Sequence, residues 1–396
     1  MEENILKSKF RKPASVIAIF LVLAMALSAC GNGGTAPASS SPDAPAASAT
    51  ADELPVFTIG FNTWGSGVPI LDLFGDETEW ALGVLGMRGN RVSDDFTAER
   101  ELQNVQNFIS AGVDGIALQG AADPVVPQAG EAAMNAEIPF VLLVFVGADD
   151  DRAHLAANNP FYVGAVNSDL YYDGYTLGQA AIRDGNKTAV LIGGNIGDSN
   201  MDQRSQGFRQ AFVTEGGGTV LDEARCTSPA ESLQKASDML STHRDVDALY
   251  AMVGDYVPGP ITAMDNLGIE GIKIYSSCVD LVTANYIIEG RVVEGNDGIG
   301  LSAVIAPAML INFLDGHPIL DANGNKPEFK TVPFRVNADN AEDYISIFYT
   351  QGVNPVTQDI LKSMVWRFNP DVSYQTYVDL IESGLTLDAL LRAHGR

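Results

Sequence analysis

From residue 54 onward, short apolar runs alternate with longer stretches in which apolar residues recur every three or four positions. The runs "VFTIGF", "GIAL", "PFVLLVFV", "AVLIGG", "ALYAMV" and "IKIYSS" are almost continuously apolar and rich in β-branched and aromatic residues, which predicts strands buried on both faces. Between them lie helical patterns such as "AERELQNVQNFISAG", "DGYTLGQAAIRDG" and "PAESLQKASDMLSTH". The first sets Leu102, Val105, Ile109 and, less regularly, Phe108 on one face, and it stops at Gly112, a usual helix terminator. Strand, helix and strand in succession predict an α/β fold with parallel sheets covered on both faces. Roughly 340 residues exceed what one such sheet organises, so two doubly wound lobes are expected.

The order of the elements also suggests where the chain changes lobe. "VGAVN" (163–167) closes one series of β/α units and precedes another; "VVEGNDG" ends at the apolar helix "LSAVIAPAMLINFLDG"; "KTVPFRVN" follows. Three crossings make a three-strand hinge. The expected bodies are a first lobe of residues 54–166 plus 298–332 and a second of 167–297 plus 333–345. Residues 346–396 form a helical extension, with Leu380, Ile381, Leu385, Leu387, Leu390 and Leu391 at helical spacing. A hinge between two such lobes leaves a cleft at the carboxyl ends of the strands, where ligands of open sheets bind.

The first 53 residues follow other rules. Lys7, Lys9, Arg11 and Lys12 precede an apolar run from Ala14 to Leu27, too short for a spanning helix and shaped like an export signal. The run ends in Leu27-Ser28-Ala29-Cys30, which resembles a bacterial lipoprotein cleavage box. That resemblance implies removal of residues 1–29 and lipid on Cys30, enough acyl chain to hold the protein on a bilayer. Residues 30–53 are mostly Gly, Ala, Ser and Pro, a composition that reads as a flexible tether. The folded body is therefore expected outside the cytoplasm, on the outer face of the cytoplasmic membrane or in the periplasm.

The net charge of −26 argues against nucleic acid as a partner and against lying flat on an anionic membrane. Cys226 and Cys278 end separate strand-like segments; a disulfide is open to them, but buried free thiols fit better. No metal spacing surrounds the cysteines or histidines. "DANGNKPEFKTV" begins like a calcium loop, yet Lys326 and Val332 occupy the places of its glycine and closing glutamate, and an Asn-Gly turn accounts for it.

Several stretches carry a family resemblance. "NVQNFISAGVDGIALQGAADPVVPQAGEAAMNAEIPFV", "GNIGDSNMDQRSQGF", "DVDALYAMVGD" and "NADNAEDY" together resemble the sugar-type, type I periplasmic binding proteins, from about residue 56 to 345. The resemblance implies a hinged solute-binding protein that feeds an ABC importer, binds its ligand as a monomer and needs no cofactor. Arg204 falls on the family's ligand-clamping arginine. Asp255 falls on the acid of its Asn-Asp pair, with Gly254 in place of the asparagine; Asp280 matches the acid after the next strand; Asp297 stands near the family's hinge glutamine. The loop after the first strand, "FNTWGSGVP", adds Asn62 and Trp64. Trp64 reads either as core or as a surface that stacks on a sugar ring, and the glycine-rich turn beside it favours stacking. Arg204 is open to two readings as well, a bidentate grip on hydroxyls or a salt bridge with Asp198 or Asp202.

One departure stands out. Where the family ends its fourth strand in an acid, this chain has Val144-Phe145, and Asp149, Asp151 and Arg152 come later. Either these later residues take over, or the cleft floor is more apolar. One arginine against three aspartates disfavours an anionic ligand, which leaves a neutral polyol or a cation. Three functions share the sequence evidence: a lipid-anchored binding protein, a sensor module for a signalling partner and a surface glycosidase. The last has no nucleophile elbow, zinc motif or phosphate loop behind it, so a non-enzymatic role is expected. A transcriptional regulator is excluded, because the export signal occupies the place of a DNA-reading module.

Overall fold

A computed structural model describes residues 54–396; the export signal, Cys30 and the tether lie outside the described residues. Twelve strands form two six-stranded sheets. The first sheet contains β1 (Thr58–Thr63), β2 (Arg88–Ser93), β3 (Gly115–Gly120), β4 (Phe140–Val146), β5 (Tyr162–Ser168) and β11 (Glu328–Thr331). Its order is β11-β5-β4-β3-β1-β2, and its strand pairs are parallel. The second contains β6 (Thr188–Gly193), β7 (Thr219–Arg225), β8 (Ala248–Ala251), β9 (Lys273–Ser277), β10 (Glu294–Asp297) and β12 (Phe334–Asn337). Its order is β12-β10-β9-β8-β6-β7, and only β12 runs antiparallel to its neighbour. The chain passes between the sheets after β5, after β10 and after β11, so three connections lie side by side.

The central strands are those with continuous apolar sequence. The edge strands β2, "RGNRVS", and β7, "TVLDEAR", are largely exposed or half-buried. Pairing on one side only leaves their outer faces in water, so they carry charge and escape detection by hydrophobicity. The helix Ala98–Ala111 starts at Thr97, whose hydroxyl accepts from the Arg100 amide, and ends at Gly112 with φ 68°. Its buried apolar residues are Val105 and Phe108, with Leu102 and Ile109 at the margin. Phe108 belongs to the inward face because its ring lies over Gly60 of β1, where a Cβ would come within 2.6 Å of it.

The helix Leu301–Leu314 is buried from Leu301 to Asn312, on all sides. A helix apolar around its whole circumference needs cover on two sides. The first sheet supplies one side, and the helix Pro69–Val84 together with the C-terminal segment supplies the other. Asn312 donates to the Met364 carbonyl at 2.8 Å and accepts from the Trp366 amide at 2.7 Å. Arg367 grips Asp315 with two bonds of 2.5 and 2.7 Å. Tyr377 stacks on Phe329 of β11 at 5.2 Å and donates to the Met364 carbonyl. The same segment reaches the second lobe, since the helix Leu387–Ala393 packs on Ala341–Phe348, which packs on Leu281–Ile288.

Tyr377 is fully buried. Tyr377→Ala should lower the unfolding free energy by about 3–5 kcal/mol through the cavity and the loss of the bond that the Asn312 amide donates to the Tyr377 hydroxyl at 3.1 Å. Urea unfolding measures this; a loss under about 1 kcal/mol would show the segment to be an appendage.

Candidate functional site

The carboxyl ends of both sheets converge on a cavity of about 450 Å³, a size suited to a small organic ligand. Trp64 follows β1, Phe96 follows β2, and Phe145 comes from the end of β4. From the second sheet, Asn195 and Asp198 follow β6, Thr227 and Ser228 follow β7, Asp255 and Tyr256 follow β8, and Cys278 follows β9. Arg204 enters from the helix Ser199–Arg209 and Ile299 from the hinge. Across the mouth the lobes meet where Ser199 Oγ donates to Asp123 Oδ1 at 3.3 Å.

Strained backbone lies at the rim. Asp95 and Phe96 have φ of 50° and 61°, Val144 has 62° and Cys278 has 49°. Such values are costly for residues with a Cβ, most of all for β-branched valine, and persist only where the surroundings enforce them. At Val144 the pairing of β3 with β4 slips, so that Leu118 faces Leu142 but Gly120 faces Val146. That bulge re-aims the strand, and Phe145 lines the cavity, its ring edge-on to Phe74 at 6.3 Å. The later acids do not reach the site: Asp149 and Arg152 pair with each other at 2.6 Å, and Arg152 also meets Glu328. The floor is therefore apolar.

Trp64 is half-buried, lines the cavity and stands perpendicular to Phe96 at 6.4 Å. Asn62 does not line it. Its amide donates to Asp94 at 2.5 Å and to the Gln119 carbonyl at 2.9 Å, while its oxygen accepts from the Gln119 amide. Gln119 Oε1 in turn accepts from the Trp64 amide at 3.4 Å, and the Phe96 amide donates to the Trp64 carbonyl. Asn62 thus fixes the aromatic loops from below. Burial raises Asp94 in this network to about 6 despite bonds from Asn104 and Asn62, and it raises Glu101 to about 8.

Arg204 lines the cavity but is 1% exposed. Its Nε donates to Asp173 at 2.9 Å and its Nη2 to Cys278 Sγ at 2.8 Å. The salt bridge is thus with Asp173 rather than Asp198 or Asp202; Asp202 pairs with Arg225. Asn296 also donates to Asp173, at 3.1 Å. Burial pushes the Cys278 thiol up to about 12 against the pull of Arg204, so it meets the guanidinium as a neutral acceptor. Cys226 and Cys278 are both free and buried.

Asp255 lines the cavity, and burial together with the field of Asp280 raises it to about 7. Gly254 beside it is packed so that a Cβ would stand 2.5 Å from the Cys278 carbonyl, which explains why no side chain occupies that place. Asp280 is turned away and caps the helix Leu281–Ile288 by accepting from the Thr283 amide at 2.7 Å. Asp297 is turned into the hinge, where Tyr344 donates to it at 2.6 Å and its Oδ1 has no partner. Of the six residues singled out from the sequence, Trp64, Arg204 and Asp255 share the cavity wall; Asn62, Asp280 and Asp297 lie behind it. Phe96, Asp198 and Tyr256 on the wall were not singled out. Asp198 and Tyr256 could have been found beside Arg204 and Asp255, whereas Phe96 sits in polar sequence with no signal. Among the described residues no cluster of ligating side chains suits a metal, and no helix is long and apolar enough to cross a membrane.

Asp297 is raised by burial from 3.8 to about 7. The folded chain therefore keeps a proton that the unfolded chain has lost, and stability falls as pH rises across that window. Asp297→Asn should flatten the fall between pH 5 and 8 in urea unfolding. An unchanged slope would mean that the native carboxyl is already ionised at pH 5.

The family described as periplasmic binding protein domain matches residues 59–297. No curated protein sequence matches the chain. Among solved structures, the arabinose-transporter binding protein of Shewanella sp. ANA-3, bound to L-arabinofuranose, is similar with a TM-score of 0.66 at 18% identity. The match covers 74% of this chain and 96% of that one. A carbohydrate transporter protein of Acidothermus cellulolyticus 11B with myo-inositol gives 0.64 at 19% identity, over 74% and 98%. A solute-binding protein of Actinobacillus succinogenes 130z with D-allose gives 0.65 at 17%, over 72% and 99%.

Proposed function

The chain belongs to the periplasmic binding protein family, whose members are extracytoplasmic binding proteins rather than enzymes, and from that premise we propose that it captures a small neutral sugar or polyol for an ABC importer. The observation that carries this reading is the cavity walled by both lobes above a three-connection hinge. A ligand that bridges both walls favours the closed arrangement, which is how such a fold reports occupancy to a transporter. The polyols held by the similar structures support the ligand class.

Within this reading, Trp64 stacks on an apolar ring face, and Arg204 offers Nη1 to a hydroxyl while Asp173 holds its Nε and Cys278 its Nη2. Asp255 accepts from ligand hydroxyls. Asn62, Asp280 and Asp297 act by positioning the loops and hinge. An anion is disfavoured because Asp173 offsets the charge of Arg204 while Asp198 and Asp255 face the cavity.

A thermal-shift screen over monosaccharides and polyols identifies binders; at 100 times its dissociation constant a ligand adds about 2.7 kcal/mol. Trp64→Ala should then weaken the best binder by about 100-fold in calorimetry. Wild-type affinity in that variant would remove Trp64 from the site, and the lack of any stabilising sugar or polyol would overturn the ligand class.

Anchoring is the second part of the proposal: Cys30 carries lipid and the tether up to residue 53 leaves the lobes free to close. Cys30→Ala should move the protein from the membrane to the soluble fraction. Retention on membranes after a high-salt wash would refute the anchor.

A further inference from the structure

The two walls of the cavity differ in kind. Every first-lobe side chain on it is apolar, with Leu71, Phe74, Phe96 and Phe145 beside Trp64, whose indole N–H is the one hydrogen-bonding group there. The hydrogen-bonding side chains otherwise come from the second lobe, among them Asp198, Asn200, Arg204, Asp255 and Tyr256. A simple sugar carries hydroxyls on both edges of its ring. Seated here, those turned toward the first lobe would lose water and gain no partner, which weakens binding by about tenfold or more for each. The backbone strain at Phe96 and the Val144 bulge hold two of these aromatic rings where an apolar ligand surface would meet them.

We infer that the ligand is amphipathic: a polyol head held by the second lobe, joined to an aromatic or branched apolar group that packs against Phe74, Phe96 and Phe145, as in an aryl glycoside. This rests on the sugar reading above and narrows it. The volume of about 450 Å³ leaves room for both parts. The carboxylates of Asp198 and Asp255 suit a head that donates hydrogen bonds.

The test is calorimetry of the purified protein with matched methyl and phenyl glycosides of glucose, galactose, mannose and xylose. In each pair that binds, the phenyl member should bind about 10- to 100-fold tighter, from the added apolar area. Phe145→Ala should shrink that gap to threefold or less, because the phenyl member loses the larger apolar contact. If Phe145→Ala fails to fold, Phe96→Ala gives the same comparison, because Phe96 is 49% exposed and its truncation leaves no core cavity. Methyl members that bind as tightly as phenyl members would overturn the inference and leave the sugar reading standing. If neither series binds, the sugar reading fails and the inference falls with it.

Discussion

Much of the site is built on the ion pair between Asp173 and Arg204, both within 5% of full burial. Charges so buried need partners on every side, or the fold loses several kcal/mol. Here Asn296 and Cys278 complete the shell. The pair demands that two helices, Leu170–Arg183 and Ser199–Arg209, come very close. Gly174 and Gly207 permit it, since a Cβ on either would sit about 2 Å from a carbonyl of the other helix. One interaction therefore joins both helices to β9 and β10, and it ends at the hinge and at the polar wall of the cavity together. Its location means that Arg204 reaches the cavity with most of its fork already committed.

Against this polar second-lobe wall stands an apolar wall that owes its shape to backbone geometry more than to composition. Phe145 lines the cavity because β4 bulges at Val144, and Phe96 does so because its own φ is positive. Both are costly local conformations, and each is held by its surroundings: the Phe96 amide by the Trp64 carbonyl, and the Trp64 loop by Gln119 and Asn62. The buried acids Asp94 and Glu101 beneath those loops, raised by burial, are the cost of that support.

The C-terminal segment does more than extend the chain. It covers the all-apolar helix Leu301–Leu314 on one lobe and meets the helix Ala341–Phe348 of the other. Tyr344 of that helix holds both Asp297 and the Val279 carbonyl. The segment is thus packed around the hinge from outside, where it adds buried contact on both lobes.

The sequence by itself determined the α/β class, the central strands and the order of lobe crossings. Short apolar runs rich in β-branched and aromatic residues read as buried strands, and parallel strands are joined by long crossovers, usually helices. It also marked Trp64, which stands in the loop after the first strand, and, through the family resemblance, Arg204 and Asp255. It did not reveal the edge strands β2 and β7, whose outer faces need no apolar residues. Only the tertiary structure decided which way each side chain turned. The partner of Arg204 lies 31 residues away on another helix, Asp297 is claimed by a tyrosine 47 residues later, and Phe145 reaches the cavity through a register shift against β3. Each depends on contacts between segments distant in the chain, and a linear pattern carries no record of which neighbour will compete for a given hydrogen bond.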